Sequence, residues 1–281
     1  MRVNIDALKV RARVLRQIRA FFDERGFVEV ETPVRIAAPA PEPHIDCPVV
    51  ASASTPSFLR ASPELQMKKL LAAGMDRIYQ LGPCFREGEN GRRHSAEFSM
   101  LEWYRADADY LDVLADTEGL VAAMLGLSSP FGRLTVREAY RRWAGWDPFA
   151  QWDGDRFDVD MATKIEPNLP KGPVFLMDYP PPAASLSRLR GEVAERWELY
   201  VDGMELANAF SELTDSGEQR RRFEIARNER RDLGETDYPI DGEFLEALKG
   251  MPPSGGVALG VDRLVMLVCG VDDIATVRAG S

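Results

Sequence analysis

Two β-like runs, RIYQLGPCF (Arg77–Phe85) and EFSMLEWYR (97–105), flank a short tip that carries Arg86, Arg92, Arg93 and His94. Two such runs joined by a charged loop predict an antiparallel hairpin, and no other feature limits the possible folds as much. Alternate residues of a strand share a face. Phe98, Met100, Glu102 and Tyr104 therefore point one way, and Leu101 and Trp103 point the other. A ring, a thioether, a carboxylate and a phenol on one face suit a pocket for a flat ring at one end and a cation at the other. Parity alone leaves an ordinary two-sided strand with a stray Glu as the commoner case. The arginines before it suit a polyphosphate, with Arg86 placed as a bidentate clamp, although a solvated charged turn would have the same composition.

Around this hairpin the pattern is mixed. Leu8, Ala12, Leu15, Ile18 and Phe22 recur at helical spacing until Gly26. GFVEVETP (26–33) is a short β-like run closed by Pro33, and AAPAPEPHIDCP (37–48) is a loop. In SPELQMKKLLAAGM (62–75), Ser62 and Glu64 resemble a helix start with an acid in its first turn. Amphipathic helices are expected over Tyr110–Leu125 and in VREAYRRWAG (136–145). The stretch from Asp147 to Lys171 reads as polar and irregular, a variable insertion. PVFLMDY is a buried strand, and ERWELYVDGMELANAFSEL (195–213) is a hairpin turning at Asp202-Gly203. SGEQRRRFEIARNERRDLG (216–234) is a charged helix, and SGGVALGVDRLVMLVCG (254–270) is strand, glycine turn and helix. The expectation is one mixed domain over 1–281 with a largely antiparallel sheet flanked by helices, of α+β class.

Composition removes several functional classes. The 281 residues carry a formal charge of −10, opposite to that of a surface built to neutralise nucleic-acid phosphates, so tRNA and DNA are not expected partners. No apolar run is long enough to span a bilayer, and the amino terminus reads as helical and charged, without a signal peptide, so no membrane partner is expected. Cys47, Cys84 and Cys269 form no pair motif, which favours reduced thiols in the cytoplasm. His44 with Cys47 lacks the second half of a zinc site.

Two further clusters carry chemistry. Glu205 and Glu212, with Asn208 between them, are oxygen ligands suited to magnesium. Seven residues is an odd step, so on a straight strand the two acids would face opposite ways. A metal reading there requires a bend or bulge, and solvated acids remain the alternative. GGVALGVDRL (255–264) places glycines before a helix whose first turn holds Arg263, where backbone N–H groups favour an anion. Packing roles for Gly255, Gly256 and Gly260 are at least as common. No G-K-[ST] follows, so this is not a Walker loop.

Together these segments resemble the catalytic core of class II aminoacyl-tRNA synthetases: GFVEVETP looks like motif 1, FREGENGRRHSAEF (85–98) like motif 2, and GVALGVDRL (256–264) like motif 3. SPELQMKKLL, MLEWYR and ELANAFSELTD are similar to the lysyl-tRNA synthetase branch, and closer still to its shortened paralogues that attach lysine or (R)-β-lysine to elongation factor P. A single helix precedes motif 1, so no anticodon-binding domain is expected, and a truncated tRNA-charging enzyme or an inactive amino-acid binder becomes the alternative. Ala258 stands where the synthetase usually has glycine.

The resemblance implies ATP and Mg2+ as cofactors, elongation factor P as acceptor and a homodimer through Phe27 to Pro33. It implies Arg86 on the α-phosphate and Arg263 on the adenine or γ-phosphate as catalytic groups. Glu87, Glu89, His94, Ser95, Phe98, Glu205, Leu206 and Gly260 would complete the ATP site, with Glu205 and Glu212 on the metal. The amino acid would meet Ser62, Pro63, Glu64, Asn208, Glu212 and Ala258, with Glu102 and Tyr104 at its distal ammonium. The family's Arg-x-Glu is displaced here, making Glu89 the expected reader of the adenine amino group, and Ser95-Ala96 replaces an Asn-Pro. The segment over about 107–171 looks shorter than in relatives.

Overall fold

The computed structural model describes residues 4–51 and 56–279; Met1–Val3, read above as part of the charged amino terminus, lie outside them. The chain divides into two compact units. One comprises Met1–Ala106, Thr214–Pro252 and Leu259–Ser281, and the other Asp107–Leu213 with Pro253–Ala258.

In the first unit, α1 (Ile5–Asp23) is capped by Asn4, whose side chain accepts the Ala7 N–H, and it ends before Gly26 at φ +72°. Its apolar stripe, Val14, Ile18, Phe21 and Phe22, is buried. Phe22 stacks on Tyr79 at 4.8 Å and leans on Trp103 at 5.3 Å. β1 (Val28–Glu29) runs parallel to β5, and the short β2 (Arg35–Ile36), β3 (Val49–Val50) and β4 (Ser57–Leu59) make a separate antiparallel sheet. After α2 (Glu64–Ala72) come β5 (Arg77–Phe85) and β6 (Glu97–Ala106), paired antiparallel from Arg77↔Arg105 to Phe85↔Glu97. The hairpin and its side-chain parity are those expected from the sequence.

The second unit opens with α3 (Tyr110–Leu125), whose Asp109–Asp112 capping box and left-handed Gly126 fix its two ends. β7 (Gly132–Thr135) leads to α4 (Val136–Ala139), which continues as a π-helical turn over Tyr140–Ala144. The stretch expected to be irregular is helical: α5 (Gly154–Asp160) runs into π-helical Met161–Ile165 and 3₁₀-helical Glu166–Asn168. Phe157, Met161 and Ile165 recur every four residues, a periodicity masked by the charges between them. The Tyr140 hydroxyl donates to the Phe157 carbonyl at 2.6 Å, and the two rings stack at 4.8 Å.

β8 (Pro173–Tyr179) pairs parallel with β7 and antiparallel with β10 (Val193–Val201), which also pairs with the short β9 (Leu189–Arg190). β10 turns through Asp202 (φ +51°) and Gly203 (φ +74°) into β11 (Met204–Ser211). Two successive positive φ values are those of a type I′ hairpin turn.

The chain returns to the first unit as α6 (Ser216–Asp232), capped by Asp215, and α7 (Gly242–Ala247), capped by Asp241. β12 (Ser254–Gly260) leads into α8 (Val261–Cys269). A Cβ at Gly255 would come within 2.5 Å of the Asp109 carbonyl oxygen, so this glycine serves close packing. The sheets are mostly antiparallel and carry helices, as expected for an α+β protein. No helix among the described residues is long and apolar enough to cross a membrane.

Candidate active site

The tip between β5 and β6 holds its cations on the strand ends. The Arg86 N–H donates to the Ala96 carbonyl at 2.9 Å, which closes the base of the loop. The Arg86 guanidinium lies 5.1 Å from the Phe98 ring centroid and 3.3 Å from Glu89 Oε1. Its Nε is buried and makes no hydrogen bond among the described residues. A buried donor without an acceptor is uncommon in a finished protein interior and fits a group that meets an anionic ligand.

Arg263, in the first turn of α8, donates from Nη2 to His94 Nε2 at 2.7 Å and from Nε to the Arg93 carbonyl at 3.4 Å. Burial and the adjacent Arg263 hold His94 below its ordinary value, so the ring is a neutral acceptor at neutral pH. Gly260 is the N-cap of α8, with no side chain covering the helix end. Ser95 is half-buried and Glu87 exposed; the Glu87 N–H donates to the Asp46 carbonyl at 2.8 Å. Arg86, Glu89, Phe98, His94 and Arg263 thus belong to one unit, and Glu89, expected to read adenine, rests on Arg86.

Four residues along the same face of β6, Glu102 is 1% exposed. Its carboxylate accepts from Ser62 Oγ at 2.6 Å and from the Tyr104 hydroxyl at 2.9 Å. Burial above all, and then Glu64, push the Glu102 carboxyl up to about 7, against the pull of those two hydrogen bonds. Ser62 Oγ also accepts the Glu64 N–H at 2.9 Å, while Pro63 is the N-cap residue of α2. Glu64 forms an ion pair with Lys68, a lysine that is only 1% exposed. Ser62, Glu64 and Leu65 line a small open cleft together with Glu42, Ile45 and Cys47 of the preceding loop.

In the second unit, β11 carries the irregularity that the metal reading required. Leu199 faces Ala207 but Tyr200 faces Glu205, so Leu206 is an extra, buried residue without a cross-strand partner. This one-residue bulge turns Glu205 onto the face of Asn208 and Phe210. Opposite, on β10, Arg196, Glu198 and Tyr200 share that face. Arg196 donates to Glu198 at 2.6 Å and to Asn208 Oδ1 at 3.3 Å, and the Tyr200 hydroxyl donates to Glu198 at 2.7 Å. Glu198 and Glu205 both act on the buried Tyr200, whose hydroxyl is driven far above its ordinary range by burial first and by these carboxylates next.

Glu198 was passed over in the sequence, although the alternation Arg-Trp-Glu-Leu-Tyr within ERWELY carries the same signal read from β6. Glu212 follows β11, 2% exposed, with its N–H donating to Ser254 O at 2.8 Å. Ala258 is half-buried on β12. Among the described residues no group of three or more His, Cys, Asp or Glu is arranged to hold a metal, but two carboxylates on one face fit magnesium, which retains water.

A second layer, unseen in the sequence, ties together the segments that carry Phe98 and Arg263. Asp262 accepts from Arg11 of α1, from the Ser99 N–H at 2.6 Å and from Arg278 at 3.3 Å, and Arg11 also donates to Ser99 Oγ at 2.7 Å. The residue before Arg263 is thereby bonded to the residue after Phe98. Two of these partners lie more than 80 residues from each other in the chain, and sequence spacing carries no trace of that.

Residues 2–279 match the family model described as tRNA synthetases class II (D, K and N). The chain belongs to this family. It is also similar to elongation factor P–(R)-β-lysine ligases: 38% identical to that of Proteus mirabilis (strain HI4320), covering 98% of this chain and 95% of the relative. The enzyme of that name from Photorhabdus laumondii subsp. laumondii is 40% identical over 96% and 93% of the two chains. That from Vibrio cholerae serotype O1 is 38% identical over 98% and 95%. This class II synthetase-like chain is accordingly an ATP-dependent amino-acid ligase of the shortened lysyl branch. The match over nearly the full length of both chains carries the ligase assignment.

Proposed function

We propose that this class II ligase condenses lysine or (R)-β-lysine with ATP and transfers the aminoacyl group to a lysine side chain of elongation factor P. The observation that carries the reading is the single face of β6. Phe98 and Glu102 sit four residues apart on it, about 13 Å along an extended strand, one beside the Arg86 guanidinium and the other buried with Ser62 and Tyr104. That separation suits adenine at one end and the distal ammonium of a diamino acid at the other. The family match over 2–279 supports treating the two units as one catalytic domain.

In the first step a carboxylate oxygen of the amino acid attacks the α-phosphorus, the bond to the bridging oxygen breaks, and pyrophosphate leaves with that electron pair. No protein nucleophile is needed. Arg86 would stabilise charge on the α-phosphoryl oxygens, Arg263 and His94 would meet the distal phosphates, and Phe98 would cover the adenine. Glu205 with Glu212 would hold magnesium, whose chemistry is to neutralise the phosphate oxygens. In the second step the acceptor amine attacks the carbonyl carbon, the anhydride C–O bond breaks and AMP leaves.

ATP–pyrophosphate exchange over a panel of amino acids, followed by addition of elongation factor P or tRNA, tests the reading. Exchange is expected with a diamino acid, and label is expected on a lysine of elongation factor P. Transfer to tRNA in its place would make the chain a truncated tRNA-charging enzyme, and absence of exchange with every amino acid would make it a binder.

A homodimer through Phe27 to Pro33 belongs to the same proposal. Val28 is 51% exposed on the edge strand β1 of the first unit, where a large apolar side chain gains from being covered. Sedimentation at micromolar concentration is expected to give twice the 31.4 kDa chain mass; a monomer would remove the dimer from the proposal. The cysteines are free thiols, which suits a reducing compartment and supports a cytoplasmic setting.

A further inference from the structure

Arg230 of α6 is wholly buried, and its donors are spent on one distant loop. Nη1 donates to the carbonyls of Glu42 at 2.7 Å, Ile45 at 3.1 Å and Pro43 at 3.4 Å, while Nη2 pairs with the Asp46 carboxylate. Nε closes on the Thr236 carbonyl at 2.9 Å, and the guanidinium lies 4.4 Å from the Tyr238 ring centroid. The Tyr238 hydroxyl accepts the Cys47 N–H at 2.8 Å and donates to Asp46 at 3.2 Å.

A segment without helix or sheet pairing, residues 42–47, is thus held by one cation more than 180 residues away in the chain. A buried guanidinium needs this many acceptors, and these carbonyls have no ladder of their own to join. What the clamp holds in place is a wall. Glu42, Ile45 and Cys47 line the same small cleft as Ser62, Glu64 and Leu65, and Ser62 is the residue that bonds Glu102.

We infer that Arg230 is a positioning residue for the amino-acid end of the site: through the 42–47 wall it sets how tightly the amino acid is bound, without touching it. This rests on the proposed function in one respect only, that the cleft beside Ser62 and Glu64 is where the amino acid lies. ATP binding is expected to change much less, because Arg86 and Phe98 are carried by the paired strands β5 and β6, and the clamped loop meets the tip through one backbone bond, the Glu87 N–H to the Asp46 carbonyl.

The test uses the full chain with Arg230→Met and Arg230→Lys. In ATP–pyrophosphate exchange, Arg230→Met is expected to raise the KM for the amino acid at least tenfold and to leave the KM for ATP within threefold. Arg230→Lys is expected to fall between, since an ammonium can satisfy some of the acceptors but not the fork. A merely destabilised protein would lose active fraction with both KM values unchanged, and that result would overturn the inference, as would equal rises in the two.

A second readout needs no substrate. Cys47 is 4% exposed, and burial pushes its thiol up to about 11, so labelling by a thiol reagent is expected to be slow in the wild type. Peptide mapping is expected to show Cys47 labelled at least tenfold faster in Arg230→Met, with Cys84 still protected and the half-buried Cys269 as reference. Unchanged Cys47 labelling would overturn the clamp itself. Faster labelling in a protein whose wild type activates no amino acid would instead overturn the proposed function and remove the role given to Arg230 with it.

Discussion

Arg86→Ala is expected to lower ATP–pyrophosphate exchange by about 10²- to 10³-fold, the usual loss when a single preorganised donor to developing charge is removed. Arg86 differs from the other tip cations in its surroundings. Its backbone is fixed by the Ala96 carbonyl, its guanidinium packs near Phe98, and its buried Nε has no acceptor among the described residues. Arg92, by contrast, is largely exposed and bonded to Asp272. Arg86→Lys is expected to restore little, because a point charge cannot replace a planar fork at a phosphate.

Stability should change little, since among the described residues the side chain's ion pair is the partly exposed contact to Glu89 three residues away. Exchange assays beside thermal melting check both halves. An Arg86→Ala protein with near-normal exchange would leave the phosphate assignment without its main support.

Glu102→Gln is expected to make the ligand-free protein more stable at pH 8 while raising the KM for the amino acid about 10²-fold. Burial and Glu64 lift the Glu102 carboxyl from its ordinary 4.5 to about 7. The folded state therefore holds this proton more tightly than the unfolded chain. The stability it contributes is complete below about pH 4.5 and is lost as the pH rises through about 7. Above that, keeping a buried charge costs on the order of 3 kcal/mol, which an isosteric amide avoids, its oxygen accepting from one of the Ser62 and Tyr104 hydroxyls and its NH2 donating to the other. For a chain of this length that corresponds to a rise in Tm of about 5 °C.

An amide cannot offer charge to an ammonium, hence the loss of affinity. In the wild type the KM for the amino acid is expected to fall as the pH rises through 7, when the carboxylate ionises. Melting curves and KM measured from pH 5 to 9 decide this. A variant that is less stable at pH 8, or that binds the amino acid normally, would place Glu102 in ordinary packing.

Much of this was legible because strands have a two-residue period. β5, β6 and the Asp202-Gly203 hairpin followed from alternation and turn chemistry, and with them the shared face of Phe98, Glu102 and Tyr104. The same rule showed that Glu205 could join Glu212 on a strand only through a bend or bulge, although it could not say that Leu206 is the surplus residue, which is set by how β10 and β11 meet.

Other features were beyond local pattern. Phe157, Met161 and Ile165 form a helical stripe, but their charged neighbours gave the stretch the look of a loop. The burial of Lys68, the bonding of Asp262 to Ser99 and the convergence of the 42–47 carbonyls on Arg230 are tertiary facts joining residues remote in the chain, apart from the Lys68–Glu64 pair one helical turn apart.

The surplus residue in β11 also fixes what kind of change this hairpin tolerates. Substituting Leu206 alters packing, whereas deleting it would remove the bulge and still leave Glu205 opposite Tyr200, two residues before Asn208 and on its face. The acids on this face therefore depend on register with β10 rather than on residue count, and a ribbon straightened with Leu206 retained is what would turn Glu205 over.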